Sequence, residues 1–461
     1  MASVIPGLSE AEDYLAAQLE VLRRRDAATF ELNSAYYAGS QRLKHIGIAV
    51  PDEFRNFTVV VNVPRMAVDE PVRRQKLKSF QRAGSAAADP ELREVWEANN
   101  LESQSMLVHR EARIHGRAFV SVSDPDPSGV PLIQVEDTAA FQAFVDPHTR
   151  QIQAAQRYVD DKRQGRSRTL FLPDETIQLR HDSGRGWSVA ERSVHGLGQV
   201  PVVMFLNKPR ALDFEGTSEM ADVIPMTDSI ARLLTNMQIA AETHAVPSRW
   251  VAGVSKGDFV DRDGKPLPAW QAYFTAFMAT QNSDAKFGQF SASDLKNFHE
   301  SVNSLMAYCA AVLGLPIRYF GQQTVNPAAE GAIRADEARL IANVEGMNRF
   351  DGDSWVWVMG LSERFRTGEW PARNSVRALW ENPATPTLAE RADAMTKLYS
   401  QGVVSREGVW DEMGWDEARK DREKAYLAAE AEDPLIERVM RDVRSVPDGA
   451  GVGDPVAALG V

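Results

Sequence analysis

Cysteine is almost missing from this chain of 461 residues: Cys309 stands alone, which excludes an intrachain disulfide and any cysteine-based zinc site. Its apolar setting in LMAYCAAVLG points to core packing rather than reactivity. No Gly-x-x-x-x-Gly-Lys-Ser/Thr phosphate loop occurs, so a P-loop motor is not expected. No apolar run approaches the length of a membrane span, and MASVIPGLSEAEDYL lacks the basic and apolar regions of a signal peptide. The expectation is synthesis in the cytoplasm with no membrane partner. An excess of base is missing too. The net charge of -12 argues against tight, general nucleic-acid binding, which comes from Lys and Arg neutralising phosphates. It does not forbid transient contact, because local basic patches can lie beneath an acidic total.

Catalytic and metal patterns are equally thin. His109 and His115 are six apart, do not match His-Glu-x-x-His, and read as helical surface or core residues. Asp124 with Asp126, and Asp351 with Asp353, lack the remaining ligands of a calcium loop and read as turn or helix-surface acids. Asp261, Asp263 and Gly264 fit a hairpin turn. No nucleophile elbow is present. Catalytic residues, cofactor-binding residues and metal ligands are all expected to be none. Two basic features have plain readings: KRQGRSR at 162–168 as a solvated hairpin loop, and Arg232 as an i,i+4 partner of Asp228.

What is present is pattern. The first 116 residues read as helical: Leu8 to Tyr37, then Val63 to Ser79 with Pro64 near its start and Pro71 as a kink, then one helix from Asp89-Pro90 to Gly116. From Arg117 the text turns to short alternating runs separated by turn chemistry, which predicts an antiparallel β module of about seven or eight strands. A helix follows over Ser218 to His244, with Met226, Ile230, Leu233, Met237 and Ala240 at steps of three and four. A matching one over Ser293 to Leu313 carries Leu295, Phe298, Val302, Leu305, Cys309 and Val312. Both are heptad-like seams. They bracket 245–292, either as a stalk with a small head or as two core helices joined by a long excursion.

The longest signal is Gly321 to Arg366. Asn326-Pro327 caps and starts a helix. An apolar stripe then runs from Ile333 through Leu340, Val344, Trp355 and Val358 to Phe365, with Arg334, Glu337, Arg339, Glu345 and Arg349 on the charged face. Gly346, Gly352 and Gly360 predict a kink or break. Beyond it lie a strand, a Pro-rich turn and charged helices, then a Gly-, Pro- and Ala-rich end expected to be disordered.

Several stretches together resemble the portal proteins of tailed bacteriophages, in the SPP1-type family. They include YYAGSQRL at 36–43, HREARIHGRAFVSV at 109–122 and FQAFVDPHTRQIQAAQRYV at 141–159, followed by the long run at 197–237. LGLPIRYFGQQTVNPAAEGAIRADEARL at 313–340 and WENPATPTLAERADAMTKLYSQGVVSREGVWDEMGW at 380–415 complete the series. None is diagnostic alone; their order follows the portal plan. The resemblance implies an α+β portal fold: a helical part of the wing at 1–116, a β-rich wing at 117–216, stem helices at 217–244 and 293–314, a clip at 245–292 and a tunnel loop at 315–330. It further implies a wing-spanning helix at 331–370, a crown at 371–445 and a tail at 446–461, the last two short for the family.

The implied function is non-enzymatic: a ring, usually of twelve subunits, forming a channel at one capsid vertex for DNA packaging and exit. The tunnel loop would present Gln322, Gln323, Thr324 and Asn326 to double-stranded DNA, without sequence preference, and Leu295, Phe298, Val302 and Leu305 would form the stem seam. Implied partners are the terminase large subunit, the head-completion adaptor, and the major capsid and scaffold proteins. The place is the virion, after assembly in the host cytoplasm. The alternative is another structural virion protein, a head-tail connector or minor capsid component; a DNA-processing enzyme ranks last.

Overall fold

The computed structural model describes residues 5–41, 59–85, 88–125, 129–163, 165–245, 249–253, 284, 286–289, 295–321, 330–372, 375–384, 388–415 and 417–431. The chain divides into two compact units, Met1–Ala384 and Thr385–Val461. The architecture is α+β.

In the first unit, eight strands over 117–206 form two antiparallel sheets. β2 (Arg117–Pro125), β3 (Pro131–Val135) and β9 (Val202–Leu206) form a three-stranded sheet in the order β3-β2-β9. β4 (Phe141–Val145), β5 (Ile152–Asp161), β6 (Gly165–Phe171), β7 (Glu175–Asp182) and β8 (Gly186–Val194) form a five-stranded meander. The two-residue period of a strand sorts the side chains into layers. On β5, Ala154 joins Leu170, Ile177 and Leu179 beneath Ala16 and Leu19 of helix α1 (Glu10–Ala38). Its neighbour Ala155 turns the other way, toward Phe119, Phe141, Phe171 and Val202 between the sheets. On β2, Ala118, Val120 and Val122 face the largest core. A capping box of Ser9 and Glu12 starts α1, and Gly39 in the left-handed region ends it.

Two sequence readings in this region are corrected. The helix expected to reach Ser79 is α2 (Val63–Arg74) and stops earlier. Leu77–Arg82 is β1, paired antiparallel with β12 (Val376–Trp380), a partner almost 300 residues away that no local pattern reveals. The single helix expected from Asp89 is two, α3 (Pro90–Ala98) and α4 (Leu101–His115), broken where Asn100 takes φ 52°.

The helices on either side of 245–292 are α5 (Ile224–Ala245), which starts after a turn at 219–223 rather than at Ser218, and α6 (Lys296–Leu313). β10 (Arg249–Ala252) and β11 (Lys286–Gln289) pair between them, with Trp250 opposite Gly288. A 3₁₀ turn at Ile317–Phe320 precedes α7 (Glu330–Thr367). At 38 residues α7 is about 57 Å long at 1.5 Å per residue, and it packs Trp355, Val358, Met359 and Leu361 into the main core. The expected break is absent: α7 runs unbroken through Gly346, Gly352 and Gly360.

The second unit holds α8 (Leu388–Ser400), α9 (Arg406–Glu412) and α10 (Glu417–Ala431). Trp410 is buried and stacks on Trp415, with Arg419 over the second ring. Of 371–445, assigned to the crown by resemblance, 371–384 belongs to the first unit. The tail 446–461 lies outside the described residues.

Candidate channel loop and stem

Gln322, Gln323, Thr324 and Asn326 lie outside the described residues, as does most of 245–292. A cluster of charges joins described residues on the two sides of the loop. Before the loop, Arg318 donates to Asp336 at 2.8 Å and also to Glu337. Tyr319 donates its hydroxyl hydrogen to Glu337 at 3.1 Å. Arg74, from the end of α2, donates to Glu337 at 3.0 Å, to Tyr319 at 2.9 Å and to the Pro383 carbonyl at 3.1 Å. Burial disfavours the charge on Glu337, but hydrogen bonds from Arg74 and Tyr319, with the Arg74 and Arg318 charges, outweigh it and hold its carboxyl below the ordinary range. Residues 318–319 before the loop and 336–337 after it are therefore tied together.

Behind that anchor, α5, α6, α7 and α2 share one apolar cluster: Val63 and Ala67, Ile230, Cys309 and Leu313, Leu340 and Val344. Of the predicted seam, Val302 and Leu305 pack against this cluster. Leu295, at the N-terminal boundary of α6, and Phe298 stand outside it, half-buried. Val312 is 41% exposed and Leu313 takes the place expected of it, because the helix turns 100° per residue and its buried face drifts off a strict heptad. On α5 the face is also shifted. Ile230 is buried and Met226, Leu233, Met237 and Ala240 are half-buried, while Thr227, Ala231 and Thr235 join Ile230 on the fully buried face. The two threonines satisfy their hydroxyls on carbonyls four residues back. Cys309 Sγ lies 3.7 Å from Met226 Sδ, and burial pushes its thiol pKa up, so it packs.

Other sequence readings resolve here. Asp228 accepts from the Tyr36 hydroxyl, while Arg232 reaches Ser229 Oγ. In the 162–168 hairpin, Lys162, Arg163 and Arg166 are exposed, but Arg168 is half-buried over the Trp187 ring. Asp351 is not a surface acid: at 1% exposure it pairs with the equally buried Arg113. Gln75 donates to Asp351 at 2.8 Å and to Asn348 at 3.2 Å, so the pair ties α4 and α7 to the end of α2. His109 is buried beside it and accepts from Trp355 Nε1 at 2.9 Å.

Arg74, Arg318, Tyr319 and Glu337 were not anticipated, nor was the Arg113–Asp351 pair. A signal existed: Glu337, read from the sequence as part of the charged face, and Asn348 and Asp351 fall three or four residues from Leu340, Val344 and Trp355, in line with the apolar stripe, where a polar side chain needs a buried partner. Among the described residues, no group of three or more His, Cys, Asp or Glu is placed to hold a metal ion, and no helix is long and apolar enough to cross a membrane.

Residues 22–434 match the family of phage portal proteins of the SPP1 Gp6-like type. The chain belongs to that family. The portal protein of Mycobacterium phage L5 is 35% identical over 449 residues, covering 94% of this chain and 92% of the relative. The portal protein of Mycobacterium phage D29 is 34% identical with the same coverage. A chain from the neck of an empty gene transfer agent (GTA) particle, computed with C6 symmetry, shares the fold with a TM-score of 0.50 at 12% identity, covering 85% of this chain and 94% of that one. The portal family is structural, so this portal subunit is a virion protein and not an enzyme.

Proposed function

We propose that copies of this portal subunit close into a ring of twelve around an open axis at one capsid vertex. The terminase large subunit drives double-stranded DNA inward through the channel, and the same channel releases it on infection. Within the ring, 245–292 forms the clip that docks the terminase during packaging and the head-completion adaptor afterwards. The wing meets the major capsid and scaffold proteins during assembly in the host cytoplasm. Gln322, Gln323, Thr324 and Asn326 touch passing phosphates without the counterion-release attraction of Lys or Arg, which keeps the contact weak and reversible. Leu295, Phe298, Val302 and Leu305 stiffen the stem.

The observation that carries this reading is the family match along 22–434, which spans the β module, the helices on either side of 245–292, the long helix and most of the terminal helices. Two structural features support it: a loop whose ends are anchored by Arg74, Arg318, Tyr319 and Glu337, and a spine helix that runs from that anchor into the wing core. Electron microscopy of the purified protein tests it. Rings with an open axis are expected; a persistent monomer, also when co-assembled with scaffold and capsid proteins, would sink the reading.

A further inference from the structure

The five-stranded sheet carries different chemistry at its two ends. At one end, the β4–β5 and β6–β7 turns, the start of α1 and the middle of α7 enclose a cleft of about 1030 Å³. Its lining holds the carboxylates Glu12, Asp146, Asp174, Glu175 and Asp353 against one guanidinium, Arg150. Arg192 pairs with Glu12 and Glu175, and the other three acids outnumber Arg150. Trp357 also lines the cleft. It is 39% exposed and stacked on Trp370, with ring centres 5.5 Å apart and planes at 6°. It opens as well into an adjoining, mainly apolar groove of about 420 Å³ with Gly360 and Pro371. An accessible indole flanked by carboxylates suits a guanidinium or ammonium group.

At the other end lie the β5–β6 and β7–β8 turns. There Lys162, Arg163, Arg166, Arg180 and Arg185 are exposed and exceed Asp160, Asp161 and Asp182. β5, ten residues long, sets the two ends about 30 Å apart at 3.3 Å per residue. A ring is built from one heterologous contact repeated, in which a surface of each copy meets a different surface of the next.

We propose that the occupant of the Trp357 cleft is a second copy of this chain: the basic β5–β6 turn of one subunit, led by Lys162 and Arg163, enters the acidic cleft of its neighbour. The inference rests on the ring reading above. Opposite charge at opposite ends of one sheet favours head-to-tail addition and repels head-to-head or tail-to-tail contact, so it selects the direction in which the ring grows.

The test is charge reversal in the full chain, with ring fraction read by negative-stain microscopy and mass photometry and folding checked by thermal melting. Asp353→Lys sits on the exposed face of α7. Lys162→Glu with Arg163→Glu sits at the hairpin tip. Each should lower the ring fraction about tenfold at fixed concentration and leave the melting midpoint unchanged. Combining them should restore rings. Trp357→Ala is a second, charge-independent variant with the same expected loss. Reversals that leave ring stability unchanged would give the cleft to a different partner and overturn the inference, as would a combination no better than either set alone. Wild-type protein that forms no rings, also when co-assembled with scaffold and capsid proteins, would instead overturn the functional reading.

Discussion

His109 shows how much a single side chain can be asked to do inside this core. It is fully buried between α4 and α7, with Phe205, Trp355 and Trp380 around it. Accepting from Trp355 Nε1 fixes Nε2 as its unprotonated nitrogen. Burial lowers its pKa to about 4; the Asp351 charge opposes that shift and the Arg113 charge adds to it. The unfolded imidazole titrates near 6.5, so between pH 6.5 and 4 the unfolded chain holds a proton that the folded chain refuses. Stability is complete above 6.5 and falls as the pH drops toward 4, by about 2 kcal/mol at pH 5 for this one group. Glu12 and Glu20, whose carboxyls lie at about 2, lose their stabilising charge only at lower pH. Thermal melts from pH 7 to 5 should therefore show a falling midpoint, and His109→Gln, which keeps an acceptor for Trp355, should flatten the slope by that amount. An unchanged slope would mean that His109 takes up its proton at the same pH in the folded and unfolded chain. The sequence identified His109 as a core or surface residue but not its partners, because Trp355 and Asp351 are more than 200 positions away.

At the scale of elements, the order of helices and strands was legible and their contacts were not. The eight strands of the β module were readable because alternation and turn chemistry are local, and the spine helix because its stripe is long. β1 was not, because a short run after a proline-containing helix carries no sign of a partner at 376–380. Nor was the purpose of the spine glycines. A Cβ on Gly352 would stand 3.1 Å from Trp380 Nε1 and 3.6 Å from Ala378 Cβ, so this glycine lets β12 lie close against α7. Gly346 has open space around the same position. Gly346→Ala should stabilise the chain by about 0.5–1 kcal/mol, since the helix gains propensity without a clash. Gly352→Val should cost about 1–3 kcal/mol through overpacking. Denaturant unfolding of the two variants checks both signs, and a destabilising Gly346→Ala would show that the spine needs its flexibility there.

For the whole molecule, the proposed function sets an acidic protein to serve as a channel for an acidic polymer. A net charge of -12 per chain repels DNA in general, which suits a conduit that must not hold its cargo. On that proposal retention falls to short-range contacts, which we assign to the uncharged Gln322, Gln323, Thr324 and Asn326. Family resemblance supplied that assignment; the residue types alone fit any polar loop. What the fold adds is a reason for the loop to be separable from the rest. Arg74, Arg318, Tyr319 and Glu337 tie together the described residues on its two sides, and α2, α5, α6 and α7 share a core among the described residues. Deleting Gln322 to Val325 should thus leave melting and ring formation intact while lowering the amount of DNA packaged or retained per particle. Breaking the base instead, with Glu337→Ala, strands Arg74 and Arg318 without their shared carboxylate and should cost about 3 kcal/mol if the pair behaves as a mostly buried one. Particles assembled from each variant, scored for rings, melting and DNA content, separate the two roles: full DNA content after the deletion would remove the loop from the DNA path, whatever the base contributes to stability.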